Sequence, residues 1–498
     1  MTGEAAAAVT DAGAQNAGAQ NAGAQNAGAQ NAGAQNAGAM ARALLAALGM
    51  DAALADPVAI TGAVPELRTP FRVAEVSAAV LAAQAALIVE IARRKAPRKD
   101  GAVQTASVAL EAAALALQSV FFQRVWNYPV MLTEPDYPTV AVYPTLDERF
   151  IMINGGYPKL RDGLLRLLRC ADDAGALGAA IARWPADDLE AAIADRGLCG
   201  VVARTPAEWR AHPQGEAIAG MKLVETLAIG EAPPVPLPAG PRPLEGLKVL
   251  DLTHVIAGPT IGKCLAEQGA AVLHVYDPMR PQLPPFDMDT GHGKHSCFLD
   301  LEKQEDAARL EALAAEADVV VQSYRPGSLA ARGFSAERFA RLRPGVIVVS
   351  VGCYGFAGPW RLRPGFEQLA QIATGMATIQ GTEDQPMLCP GFYPNDYLTG
   401  FLGACGVLAG LLARSEAGGS RHVRVSLCRT AMHILEAGLL PEAPRLPVDP
   451  ALIAGLMRSA ATPIGEMHFL GPVIEYSASR SAWARPPVPL GADPAAWP

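Results

Sequence analysis

Between residues 247 and 352 the chain alternates short apolar runs with amphipathic stretches, and no other feature constrains the fold as tightly. The runs LKVLDL (247–252), AAVLHVY (270–276), HSCFLDL (295–301), DVVVQSY (318–324) and GVIVVSVG (345–352) are too short and too rich in branched residues for helices. Near-continuous apolar runs of this length read as strands buried on both faces. Helices are predicted between them at about 260–268, 303–316 and 335–341. Strand and helix alternating at this rhythm predict an α/β unit with a doubly wound parallel sheet.

Upstream the pattern differs. The stretch EAPPVPLPAGPRP (231–243) holds six prolines in thirteen residues and reads as an extended linker. Before it, helices are predicted at 40–60, 74–95 and 104–120, and two strands in 139–154 turn at Asp147. Residues 157–198 read as helical, followed by a strand and a helix that Thr205-Pro206 would start. This is a smaller α+β module. Residues 12–39 repeat the pentapeptide AGAQN without one large apolar side chain, so 1–39 is expected to be a disordered tail. The expected organisation is therefore tail 1–39, truncated half with the α+β module 40–230, linker 231–243, doubly wound half 244–435, and a tail 436–498 returning to the core.

Composition removes several function classes. Hydrophobic residues make up 50% of the 498, enough for a sizeable core. The net charge of −8 argues against a nucleic-acid partner. The eight cysteines form no C-x-x-C pair, and His292 and His295 lack acidic or thiol companions, so no metal site is expected. The most apolar stretches, Val76 to Ala92 and Phe401 to Ala413, are expected to fall short of a spanning helix of about 20 residues. With no charged n-region ahead of an apolar core at the start, a soluble cytoplasmic protein without a membrane partner is expected.

Four short motifs can carry chemistry. HVIAGP (254–259) follows the first strand, and the free N–H groups of the helix it opens favour an anion. It is not G-x-G-x-x-G, so nicotinamide is not expected. GHGKHS (291–296) offers Lys294 to a phosphate, and SYRPG (323–327) offers Tyr324 for stacking and Arg325 for phosphate. PNDYLTG (394–400) places Asp396 at a helix start. Locally, Asp396 reads as a helix cap, the commoner use, or as a carboxylate nucleophile kept ionised by the helix dipole.

The order of these motifs resembles the family III CoA-transferases, the formyl-CoA and carnitine-CoA transferase type. The resemblance rests on PLEGLKVLDLTHVIAGP, LAEQGAAVLHV, GKHSCFLDL, VVVQSYRPGSLAARGF, LRPGVIVVSVGCYGFAGP, RPGFEQLAQIATGM and NDYLTGFLGACGVLAGLLAR. It implies a Rossmann-like second half, coenzyme A as co-substrate, and CoA transfer from an acyl-CoA to a carboxylic acid through a covalent aspartyl intermediate. Asp396 matches the family's catalytic aspartate. His254, Ile256, Ala257, Lys294, Ser323, Tyr324, Arg325 and Glu367 match its CoA-contacting positions. Departures are Tyr276-Asp277 where a basic residue is usual, with Arg280 nearby, an arginine displaced to Arg332, and only Gly155-Gly156 for a glycine-rich loop. Alternatives are a racemase, opposed by Phe366 where racemases carry a histidine, and a non-catalytic CoA-binding protein. The sequence leaves open whether the chain forms the family's homodimer.

Residues 71–76 also align with 392–397 at an offset of 321, setting Glu75 opposite Asp396. A fused, truncated duplication is the expectation, with Glu75 a relic.

Overall fold

Downstream of the linker, each predicted strand enters one seven-stranded sheet. The computed structural model describes residues 32–95, 104–131 and 137–498. Across the sheet the strands run Lys294–Phe298, Ala271–Tyr276, Lys248–Leu252, Val319–Gln322, Ile347–Gly352, Ser420–Ser426 and Glu225–Gly230. The first six are parallel, and Glu225–Gly230 closes one edge antiparallel. Val319, Val320, Val321, Ile347 and Val349 are fully buried, as strands covered on both faces must be. Strand order reverses between Lys248–Leu252 and Val319–Gln322. In open α/β sheets ligands bind beyond the carboxyl ends of the strands at such a reversal.

Two helices cross closely over this sheet, and glycine makes the approach feasible. A Cβ at Gly400 of the Pro394–Ala417 helix would lie 2.6 Å from the Thr260 Cβ of the Ala257–Glu267 helix. At Gly403 it would lie 2.4 Å from the Ile261 Cδ1. Any side chain there would push the helices apart and move the start of Pro394–Ala417. On its other flank packs Val73–Lys95, where the Cys405 thiol reaches the Val80 carbonyl at 3.6 Å and Arg94 pairs with Glu416. Contrary to the length expected from sequence, both of these helices are long and apolar enough to cross a membrane. Their most apolar windows are 100% and 94% buried within the fold, which accounts for their composition.

Val140–Pro144, Phe150–Asn154 and Gly200–Val202 make an antiparallel sheet. The helices Pro158–Leu168, Ala174–Ile181 and Ala186–Asp195 cover it around Ile151, Ile153, Leu164, Leu177, Leu189 and Val202. Thr205 and Glu208 form a reciprocal capping box on Pro206–Ala211.

Other readings need correction. Residues 1–31 lie outside the described residues, but 32–47 are helical, so the expected tail boundary at 39 is wrong. The last AGAQN copies are held because Ala37 and Ala41 are buried and the Asn36 amide donates to Glu75 at 3.3 Å. Small residues here allow contact with other helices, which a reading based on large side chains misses. The single helix expected over 40–60 is instead the end of that helix, a short 3-10 turn at Ala52–Ala55 and a strand at Val58–Thr61. The helix expected over 104–120 is a strand, Ala106–Ala109, followed by the helix Leu110–Ala116. Ala106–Ala109 is clamped parallel to Val58–Thr61 and antiparallel to Ile474–Tyr476 from the C-terminal segment. These distant partners override its alanine-rich composition.

Candidate active site

Asp396 is the third residue of the Pro394–Ala417 helix and is 6% exposed. A helix start leaves several backbone N–H groups unpaired. Here Glu367, the first residue of the helix Glu367–Thr374, supplies the acceptors. Its Oε2 accepts the Asp396 N–H at 2.9 Å, and its Oε1 accepts the Asn395 N–H at 3.3 Å and the Asn395 side-chain amide at 3.1 Å. Gln371 donates to the same Oε1 at 2.8 Å. The helix is therefore capped from outside, and the reading of Asp396 as its own cap is wrong. Among the described residues no donor hydrogen-bonds the Asp396 carboxylate, which faces a cavity.

Burial pushes the Asp396 carboxyl up to about 7. Glu367 is raised well above the usual carboxylate range, first by burial and then by the charge of Asp396, against the donors that favour its ionised form. Two buried carboxyls this close do not both ionise freely, so they titrate as a unit. The dipole of the helix start works in the opposite direction, towards an ionised Asp396.

The cavity measures about 140 Å³. Its walls come from both halves of the fold: Val255 and Ile256 after the first strand, Phe366 beside Glu367, and Tyr157 from the α+β module. Tyr157 stacks on Phe366 with ring centroids 6.0 Å apart. Val255 has φ of 68°, a left-handed conformation that β-branched residues rarely adopt. Strain of this kind persists where the surroundings fix it, and here it turns the chain between strand and helix at the cavity wall.

The predicted loop residues meet at the reversal of strand order. The His254 backbone N–H donates to the Ser323 Oγ at 3.3 Å, and His254 Nδ1 lies 3.3 Å from the same oxygen. The His254 and Tyr324 rings are 5.9 Å apart. Burial, with help from nearby Arg280 and His274, pushes His254 down to about 3, so its imidazole is neutral at physiological pH. Arg280 sits over the Tyr324 ring at 5.4 Å and lies beside the Tyr157 hydroxyl. Arg325 is exposed and reaches towards Gly197 of the α+β module. Ile256 is buried and caps the helix Ala257–Glu267, whose first N–H groups lack helical partners.

Lys294 departs from expectation. It begins a strand, is 2% exposed, and directs its Nζ to the Asp251 Oδ2 and the Pro259 carbonyl, both at 2.7 Å. It fastens the first strand to the helix turn above it and cannot reach a solvent-borne phosphate. The glycine-flanked loop read from sequence places the backbone correctly, but the side chain points inward. Glu367 also differs from its expected CoA-contacting place, because its carboxylate is taken up by the helix start. The displaced Arg332 pairs with Glu302. Sequence reasoning missed Val255, Leu283, Phe286 and Leu388 on the cavity wall. Phe286 lies on an unpredicted helix, Pro284–Thr290, for which Pro284-Pro285 at its first turn was the available signal.

The fold and site together define a mixed α/β protein with a carboxylate that no described donor bonds, at a buried helix start near the reversal of strand order in a mostly parallel sheet. Residues 244–447 of the chain match the pattern of CoA-transferase family III. It is 40% identical over 198 residues to the acetyl-coenzyme A transferase nodX of Hypoxylon pulicicidum, covering 38% of this chain and 33% of that protein. It is 34% identical over 275 residues to an acyl-CoA transferase of Gibberella moniliformis, covering 52% and 48%. A human succinyl-CoA:glutarate CoA-transferase is 32% identical over 189 residues, covering 36% and 43%. The chain thus spans a third to about half the length of these relatives.

Proposed function

We propose that this protein transfers coenzyme A from an acyl-CoA to a carboxylic acid, with Asp396 as the nucleophile. The observation that carries this reading is the Asp396 carboxylate: held at a helix start by Glu367, free of donors among the described residues, and facing a cavity next to the strand-order reversal. The family match supports the reaction class.

The chemistry follows from that placement. An Asp396 oxygen attacks the thioester carbon and expels the CoA thiolate, leaving a mixed anhydride. The thiolate attacks the aspartyl carbonyl, releases the first acid and forms an enzyme thioester. The acceptor carboxylate attacks that thioester, giving a second anhydride and free thiolate. The thiolate then takes the new acyl group and restores the Asp396 carboxylate. Each step exchanges acyl groups of similar activation, so no ATP is required, and one difficult exchange becomes several easier ones. A CoA held throughout makes each return attack effectively unimolecular. For that hold we assign Arg280, Arg325 and Tyr324, with the helix start at Ile256 and Ala257. Phe366 carries no proton, so the opposed acid and base of a racemase are not supported here.

The test is isotope exchange between a labelled carboxylic acid and acyl-CoA. The wild type should exchange label, and Asp396→Ala should lose exchange while retaining CoA affinity by calorimetry. Exchange by Asp396→Ala would overturn the proposal.

A further inference from the structure

Val255, Ile256, Leu283, Phe286, Phe366 and Leu388 give the cavity much of its apolar lining. No lysine, arginine or histidine lines it among the described residues. Its two ionisable carboxyls, Asp396 and Glu367, are both acidic. At its edge the Asn154 amide donates to Gln368 Oε1 at 3.4 Å and Asn154 Oδ1 accepts the Gly156 N–H at 3.1 Å, so the donors left are neutral ones, the Gln368 amide and the Tyr157 hydroxyl. Arg280 is not among the lining residues; it lies against the ring of Tyr324 and beside the Tyr157 hydroxyl. A second carboxylate on the acyl group would therefore be desolvated, without a described cation in the lining, and set beside two acids, an unfavourable arrangement. An apolar group would gain instead, roughly fourfold in affinity for each methylene buried. The volume of about 140 Å³ bounds its size. An apolar protein cavity of roughly 150 Å³ takes benzene.

We propose that the acyl group carried through this site is an uncharged apolar one, branched or aromatic, with about six carbons beyond the carbonyl at most. The proposal rests on Asp396 being the nucleophile. It sets this cavity apart from what a succinyl or glutaryl group needs, which is a cation for the distal carboxylate.

Benzoyl-CoA, isovaleryl-CoA, octanoyl-CoA and succinyl-CoA should be compared as donors to the full chain, reading kcat/KM and the hydroxylamine-trapped adduct on Asp396. The expected result is a kcat/KM for benzoyl-CoA or isovaleryl-CoA at least 30-fold above that for succinyl-CoA, with octanoyl-CoA below both. Leu388→Arg, at a half-buried wall position, should narrow the gap to succinyl-CoA at least tenfold. Phe366→Ala, which enlarges the cavity, should raise octanoyl-CoA relative to benzoyl-CoA. An adduct on Asp396 with succinyl-CoA or octanoyl-CoA preferred would overturn the specificity and leave the nucleophile standing. Turnover without any Asp396 adduct, or no adduct from any donor, would overturn both.

Discussion

The Glu367 carboxylate accepts the backbone N–H of Asp396 at 2.9 Å, so one acid caps the helix that presents the other. A side chain that must react cannot also cap its own helix without being tied down. Giving the cap to Glu367 leaves Asp396 free, at the expense of setting two carboxyls in one buried site.

That arrangement fixes a pH dependence. Asp396 must be ionised to attack, and its carboxyl is pushed up to about 7. The rate with a competent donor should therefore rise as pH increases through about 7 and level off above it. Glu367→Gln keeps an acceptor for the helix start, and because burial is what raises Asp396 while Glu367 is held neutral above it, the acid limb should stay near pH 7. A profile flat from pH 5 to 8 in the wild type would contradict this.

The same shift affects stability. The carboxyl is raised in the folded state from its ordinary 3.8 to about 7, so folding binds an extra proton between these values. Its contribution is full below about pH 4 and is lost as pH rises through about 7. Asp396→Asn should therefore raise the thermal midpoint relative to wild type at pH 8, with a smaller difference at pH 4. Differential calorimetry at the two pH values checks the sign.

Lys294 should separate cleanly from half-buried Arg280 and exposed Arg325. Removing one member of a buried ion pair leaves the other charge uncompensated, at a cost of about 3–5 kcal/mol. Lys294→Met should thus lower stability in denaturant titration by that order, because Asp251 is fully buried beneath it. Arg280→Ala and Arg325→Ala should instead leave stability nearly unchanged and weaken CoA binding in a salt-sensitive way. Equal loss of stability in all three would contradict the assignment.

Glu75 offers a contrast with Asp396. It too is the third residue of a long apolar helix, and it is 1% exposed. Yet Arg72 holds both its oxygens at 3.0 Å, and Asn36 donates to one of them. A carboxylate so engaged is built for structure. Glu75→Gln should retain turnover and cost about 1–3 kcal/mol of stability. Deleting residues 1–39 should lower the thermal midpoint by several degrees, since the helix 32–47 loses Asn36 and Ala37. A full-length midpoint after that deletion would show that these contacts contribute nothing.

Much of the doubly wound half was legible because its strands are uninterrupted apolar runs, as in Val319–Gln322 and Ile347–Gly352. The meeting of His254 with Ser323 follows once those strands are ordered. What was not legible depended on distant partners. The strand Ala106–Ala109 exists because Val58–Thr61 and Ile474–Tyr476 flank it. The inward turn of Lys294 depends on Asp251, 43 positions away. The freedom of Asp396 depends on Glu367, which local spacing cannot relate to a helix start 29 residues downstream.

The most direct test of the central claim is chemical capture of Asp396. The protein is incubated with a competent acyl-CoA, quenched with hydroxylamine, digested, and the peptide containing Pro394 to Gly400 is analysed by mass spectrometry. Activated carboxyls react with hydroxylamine and ordinary carboxylates do not, so the account predicts a hydroxamate at Asp396 that requires acyl-CoA and is absent from Asp396→Asn. Turnover by the wild type with Asp396 left unmodified would contradict it.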